Sequence, residues 1–209
     1  MRTFLLCFLL LPFFIKAQSI VPVAPESLTG VSVGTAEYYD IESVMEYIED
    51  ADMFIEYGFT SLMVQYIILG EAKLKVEAYL MQSAEAAFGA WSVSVSGCQQ
   101  RDSAMAYDCG SLYRYQCAYG KLYISVSSET GSEAVRSLFV PVARVLVQNN
   151  PQQPFYLPEP FNQPAMKKSR NTLTFTMGLI GMQNVLIPWQ ELFPGVEAGV
   201  YAIILPRGE

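Results

Sequence analysis

Residues 59–81 constrain this chain more than any other stretch. Residues 59–68 alternate, with Leu62, Val64, Tyr66 and Ile68 on one side, and residues 73–81 alternate in turn, with Leu74, Val76, Ala78 and Leu80 set against Lys73, Lys75, Glu77 and Tyr79. A two-residue period sends successive side chains to opposite faces of a strand, and Leu-Gly-Glu-Ala between the runs supplies a turn, so the pair reads as a β-hairpin. Residues 112–118 and 121–127 repeat the arrangement around Tyr119-Gly120. Strands joined this closely must pair antiparallel.

Helical spacing separates the hairpins. Asp40 stands as an N-cap before Ile41, Val44, Met45, Ile48, Ala51 and Ile55, which recur until Gly58 supplies a stop. Ser83 caps AEAAFGAW, a polar loop follows over 96–108, and Gly131-Ser132 precede EAVRSLFVPVARVLVQNN, where Pro141 lacks an amide hydrogen and is expected to kink or divide the helix. The order α-ββ-α-ββ-α predicts a two-layer α+β domain over residues 18–150, an antiparallel sheet built from hairpins with helices packed on one face. Pro151, Pro154, Pro158, Pro160 and Pro164 make residues 151–164 an extended Pro-rich connection. Strands at 172–177 and 199–205 then give a short β-containing tail over 165–209, which either complements the first sheet or begins an incomplete second lobe.

The N-terminus reads as a secretory signal peptide over residues 1–17: Arg2, an apolar run from Phe4 to Ile15 broken by Pro12, then Ala17 and Ser19 as alternative last residues before cleavage. The run is short for a bilayer, which needs about 20 apolar residues, so no transmembrane segment is expected after its removal, and the protein is expected to be periplasmic or secreted. Losing Arg2 and Lys16 takes the net charge from −7 to −9, which disfavours nucleic acid and anionic lipid as partners. The chain contains no His, so serine triads, Cys/His dyads and His-bearing zinc sites are excluded.

The segments Met45-Glu46-Tyr47-Ile48 and Ile55-Glu56-Tyr57-Gly58-Phe59, followed by Tyr79-Leu80-Met81 and Ala86-Ala87-Phe88-Gly89, resemble a family of secreted bacterial proteins catalogued only as a domain of unknown function. Its usual pattern is Tyr-Ile-Asn-Gly ahead of Glu-Tyr-Gly-Phe, then a strand and an Ala-Phe-Gly helix. The likeness covers residues 40–150 and weakens toward the C-terminus; Glu49-Asp50 stands where the family has Asn-Gly. The resemblance implies an envelope location and an α+β fold, and lends no catalytic residue and no cofactor.

Three groups of side chains are candidate sites. Tyr57, Phe59, Phe88 and Trp91, at predicted element ends, are either core or the lining of a groove between the first helix and the Ala-Phe-Gly helix, where a small apolar ligand would sit. Eight carboxylates fall between Glu37 and Glu56, with Glu42, Glu46 and Glu49 at i, i+4 and i+7 on one helix face; Glu49, Asp50 and Asp52 are the candidate cation ligands, and Lys73 and Lys75 the candidate counter-charges. Cys98 and Cys109 bracket a polar loop and are the favoured disulfide, against Cys98 with Cys117 or three free thiols. No catalytic residue emerges, because no carboxylate pair stands out from its neighbours and Lys167-Lys168-Ser169 lies in a basic, solvated run.

The sequence therefore points to an exported, non-enzymatic binding or interaction module of the bacterial envelope, acting on a small apolar ligand or another envelope protein. The alternatives are a His-free hydrolase using carboxylates and a structural subunit of an envelope assembly that offers the strand at 199–205 to a partner's sheet.

Overall fold

The computed structural model describes residues 19–95, 104–185 and 199–205. The expected signal peptide and Cys98 fall outside them. The fold is α+β. Along one sheet edge, β1 (Ser32–Val33) and β2 (Glu37–Tyr39) both pair with β3 (Phe59–Leu69), which pairs with β4 (Ala72–Met81). Further along the chain, β5 (Tyr107–Gly110), β6 (Arg114–Tyr119) and β7 (Leu122–Ser128) complete a seven-stranded antiparallel sheet, ordered β1-β3-β4-β7-β6-β5 with β2 also on β3. Both predicted hairpins are present, and each turns through a glycine in the left-handed region, Gly70 at φ 58° and Gly120 at φ 52°, a conformation that glycine adopts without a Cβ clash.

The helices do not share one face, as the sequence pattern had suggested. Met63, Ile67, Leu74, Val76, Ala78, Leu80, Ile124 and Val126 make the reverse face of the sheet as apolar as the front, so it too must be covered. Helix α4 (Glu133–Asn149) does this with Val135, Phe139, Val142, Ala143 and Leu146; α1 (Val44–Tyr47), α2 (Ala51–Glu56) and α3 (Ala84–Ser94) lie on the front. Pro141 does not divide α4. It lies on the exposed side, where water can solvate the carbonyl left without its amide partner.

The chain before β1 is stitched to the α4 side. Asn150 accepts from the Val21 amide and donates to the Val21 carbonyl, both at 2.8 Å, and Gln65 does the same for Val23 at 3.0 Å. Ile20 and Val23 are thereby buried.

The expected single helix over 40–58 is two. Asp40 accepts from the Glu42 and Ser43 amides and so fixes the turn that leads into α1, but Ile48 turns to φ −121°, ψ 118° and ends the helix. The acidic sequence offers like-charge neighbours rather than i, i+4 support for one long helix, and the short pieces are held by burying Val44, Ala51 and Phe54. By contrast, α3 buries every residue from Ala86 to Val93. A helix apolar all round needs cover on all sides, and the tail provides it.

Among the described residues the tail adds no strand to the main sheet, and its own cluster is small, Met182 and Ala202 with Val185 and Val200 beside them. Residues 151–158 run extended, as expected, but α5 (Glu159–Asn162) is a helical turn with Pro160 in its first turn. A 3-10 segment (Pro164–Thr172) leads to β8 (Thr174–Thr176), α6 (Leu179–Val185) and β9 (Val200–Ala202). The two strands pair with each other, and Leu173, Phe175 and Tyr201 join the core cluster around α3. Tyr57 donates to the Phe175 carbonyl at 2.9 Å, Phe175 N donates to Ser92 at 3.0 Å, and Glu56 accepts from the amides of Ile180 and Gly181. Gly89 permits this contact, since a Cβ there would collide with the Tyr57 and Phe175 rings. Among the described residues the second edge of β9 has no strand beside it.

Candidate functional site

The helices cover only part of the front face. At one end, Tyr79 and Tyr123 lie beneath Phe54, which stacks 4.5 Å from the Tyr79 ring. The Trp91 indole also closes down there, donating to the Gln116 carbonyl. Further along the same strands no helix among the described residues lies above the sheet, and two adjoining depressions, one of about 680 Å³ edged by Tyr47, Phe54 and Ser94 and one of about 800 Å³, share Tyr66, Lys75 and Arg114. They form one cleft, of the size that holds small ligands.

Sheet register builds its floor in two rows. Lys75 on β4 stands opposite Ser127 on β7, which stands opposite Arg114 on β6; one step deeper, Glu77, Ser125 and Gln116 are aligned in the same way. Adjacent strands lie about 4.8 Å apart, so in each row two long side chains flank a serine on the central strand. The result is a trough along β7. Its inner end is closed by the Phe54–Tyr79–Tyr123 stack and its outer end is bordered by Tyr113, Glu129 and Thr130.

Glu77 is the unusual member. It is 7% exposed, and its carboxylate accepts from Tyr47 OH at 3.1 Å and pairs with Lys75 Nζ at 3.1 Å. Burying a carboxylate is unfavourable unless it is paired, and an apolar side chain would satisfy this position at no such penalty. Gln116, 8% exposed, donates to Tyr123 OH at 2.6 Å. Burial, then the nearby Glu77 charge, pushes the Tyr47 and Tyr79 hydroxyls up, and burial pushes Tyr123 up. All three stay protonated, Tyr47 and Tyr123 serving as hydrogen-bond groups, and none is a phenolate nucleophile. Lys73 lies 3.6 Å over the Tyr66 ring, a cation–π contact that props the ring at the mouth of the cleft.

The side chains singled out in the sequence fall elsewhere. Tyr57, Phe59, Phe88 and Trp91 are between 0 and 5% exposed and belong to the core. The groove foreseen between the first helix and the Ala-Phe-Gly helix is filled by β8 and α6, so it is not open to an apolar ligand. Glu49, Asp50 and Asp52 are exposed around the break between α1 and α2, and among the described residues no three acidic or thiol side chains converge on a cation position. The break also removes the shared face predicted for Glu42, Glu46 and Glu49. Lys75 does meet a carboxylate, but it is Glu77 on its own strand.

Cys109 is disulfide-bonded and Cys117 is a free thiol with no exposed surface. This excludes both the Cys98–Cys117 pairing and three free thiols; Cys98 itself lies outside the described residues. Burial pushes the Cys117 thiol up, so it is inert. Iodoacetamide applied to the native protein should leave Cys117 unlabelled, and labelling should appear only with denaturant; native labelling at Cys117 would contradict its burial.

Sequence reasoning passed over Glu77, Gln116, Arg114, Ser125 and Ser127. The available signal was the charged run Lys73, Lys75, Glu77 at period two, on a strand whose neighbours are otherwise apolar. No protein-family model matches this chain, no curated protein matches it, and no solved structure matches it. The site therefore rests on its own geometry.

Proposed function

We propose that this protein is an exported, non-enzymatic binding module of the bacterial envelope, periplasmic or secreted, and that the cleft over β4, β7 and β6 holds a small polar ligand. The observation that carries this reading is buried Glu77 on the floor of a part of the sheet that no described helix covers. Among the described residues, helices pack where the sheet is apolar and leave open the part where Lys75, Glu77, Arg114 and Gln116 project. A solvent-facing sheet would carry such residues scattered and exposed; here Glu77 and Gln116 are desolvated around a concave space. The polar floor changes the expected ligand from apolar to polar. Carboxylate hydrolysis of glycosides is the weaker reading, because it needs two acids set against one bond, whereas Glu77 is tied to Lys75 and Tyr47 and the other acids of its depression, Glu49 and Asp50, are exposed.

The test is a variant that fills the trough. Ser127 is half-buried in the middle of the floor, and Ser127→Trp puts an indole between Lys75 and Arg114 without touching either core. Wild-type protein and the variant are each incubated with the small-molecule fraction of an extract from the source cells, desalted, denatured and analysed by mass spectrometry. A compound released from the wild type and absent from an equally stable Ser127→Trp supports the reading. Equal release from both places the ligand elsewhere.

A further inference from the structure

We infer that the cleft takes a short zwitterion such as a small peptide, with its ammonium at the Glu77–Gln116 row and its carboxylate at the Lys75–Arg114 row. This rests on the cleft being a binding site. The two rows differ in kind. Lys75 and Arg114 bear only donors, whereas Glu77 is an acceptor and Gln116, whose amide nitrogen is committed to Tyr123, keeps its carbonyl oxygen as an acceptor. Among the described residues neither Glu77 Oε2 nor Gln116 Oε1 receives a hydrogen bond, and the Arg114 guanidinium has no ion-pair partner. Both acceptor side chains are more than nine-tenths buried and line the same depression.

The rows are two residues apart along each strand, about 6.6 Å at the backbone. Their long side chains converge, Lys75 Nζ lying 3.1 Å from Glu77, so the two termini of a short zwitterion reach both rows. Charge sets the class. The chain carries −7 overall, which disfavours a phosphate or dicarboxylate, while a zwitterion has no net charge to be repelled. A neutral sugar would offer Arg114 and Lys75 no charge-assisted hydrogen bond. In the free protein Lys75 and Glu77 neutralise each other at 3.1 Å, and the ligand's two ends replace that contact with one partner each. Ser125 and Ser127 leave room for its backbone, and Tyr66 and Tyr113 border the mouth, where side chains of the ligand would lie.

The experiment is an amide NMR titration of the mature chain with L-Ala-L-Ala, its N-acetyl form, its C-terminal amide, glucose and glucuronate. L-Ala-L-Ala should shift the amides of Gln116, Ser125 and Ser127, and blocking either terminus should weaken it about ten-fold, the effect of losing one charge-assisted hydrogen bond. Arg114→Met, an exposed position whose loss leaves the fold intact, should weaken L-Ala-L-Ala about ten-fold and leave the affinity of the C-terminal amide unchanged. Equal binding of the free and blocked dipeptides overturns the inference. So does binding of glucose or glucuronate without the dipeptide, which leaves the cleft a binding site of another class. Silence of the cleft amides to every probe also overturns the inference and, where wild type and Ser127→Trp release small molecules equally, overturns the proposed function with it.

Discussion

Deleting residues 165–209 should abolish cooperative unfolding of the rest of the chain rather than trim a separable unit from it. The deletion takes Leu173 and Phe175 out of the α3 cluster, where they are 5% and 3% exposed, and uncovers Tyr57 and Phe88, which they and Tyr201 shield. At about 1.5–3 kcal/mol for each large apolar side chain returned to water, four such groups amount to roughly 6–12 kcal/mol. That is comparable with the whole stability of an ordinary domain, about 5–15 kcal/mol. The truncated protein should melt without a sharp transition and bind a hydrophobic dye. A truncated form that unfolds cooperatively within a few degrees of the full chain would show instead that the tail is an appendage.

Phe88→Ala should have the largest effect of any single substitution. The ring is 1% exposed and lies at 4.9 Å from Tyr107, 5.2 Å from Phe155, 5.6 Å from Trp91 and 6.3 Å from Tyr201. It thus joins α3, the edge strand β5, the Pro-rich connection and β9. Truncating such a ring costs about 3–5 kcal/mol, part of it for the cavity left behind. With about 2–4 °C per kcal/mol for a domain of this size, the melting temperature should fall by roughly 10–15 °C. Unchanged stability with loss of a bound apolar compound would instead restore the ligand groove that the tail now fills.

The parts of this fold that were legible in the sequence are those set by local chemistry. Both hairpins follow from period-two alternation and from Gly70 and Gly120, and the N-cap at Ser83 accepts from Ala86 as its position suggested. The break at Ile48 was not legible, because the apolar spacing of 41–55 is satisfied equally by one helix or by two that pack independently. Strand β5 was hidden in a polar loop: Asp108 breaks the apolar pattern, yet it is 1% exposed, accepting from the amides of Ala104 and Met105 and from Tyr115 OH. Tyr57, Phe88 and Trp91 looked like a groove because the sequence shows two helices with apolar faces and does not show that residues 173–176 return to lie between them.

The cleft was illegible for a different reason. Its two rows are set by register across β4, β7 and β6, so that Glu77 meets Gln116 over Ser125 although they are far apart in the chain. In a single sequence Glu77 is one of twenty acidic residues, with nothing to say that it is buried. Only the register of the sheet, and Tyr47 of α1 laid against it, give it that environment.

The central claim, that the open half of the sheet is the binding surface, is tested most directly by mapping amide shifts when the small-molecule fraction of the source cells is added to the mature protein. The account predicts shifts confined to the neighbourhood of Tyr66, Lys75, Arg114, Gln116, Ser125 and Ser127, and their loss in Ser127→Trp. Shifts centred instead on Gly89, Ser92 and Phe175 would contradict it, since they would mean that a ligand displaces the tail from α3 and binds where the aromatic core now closes.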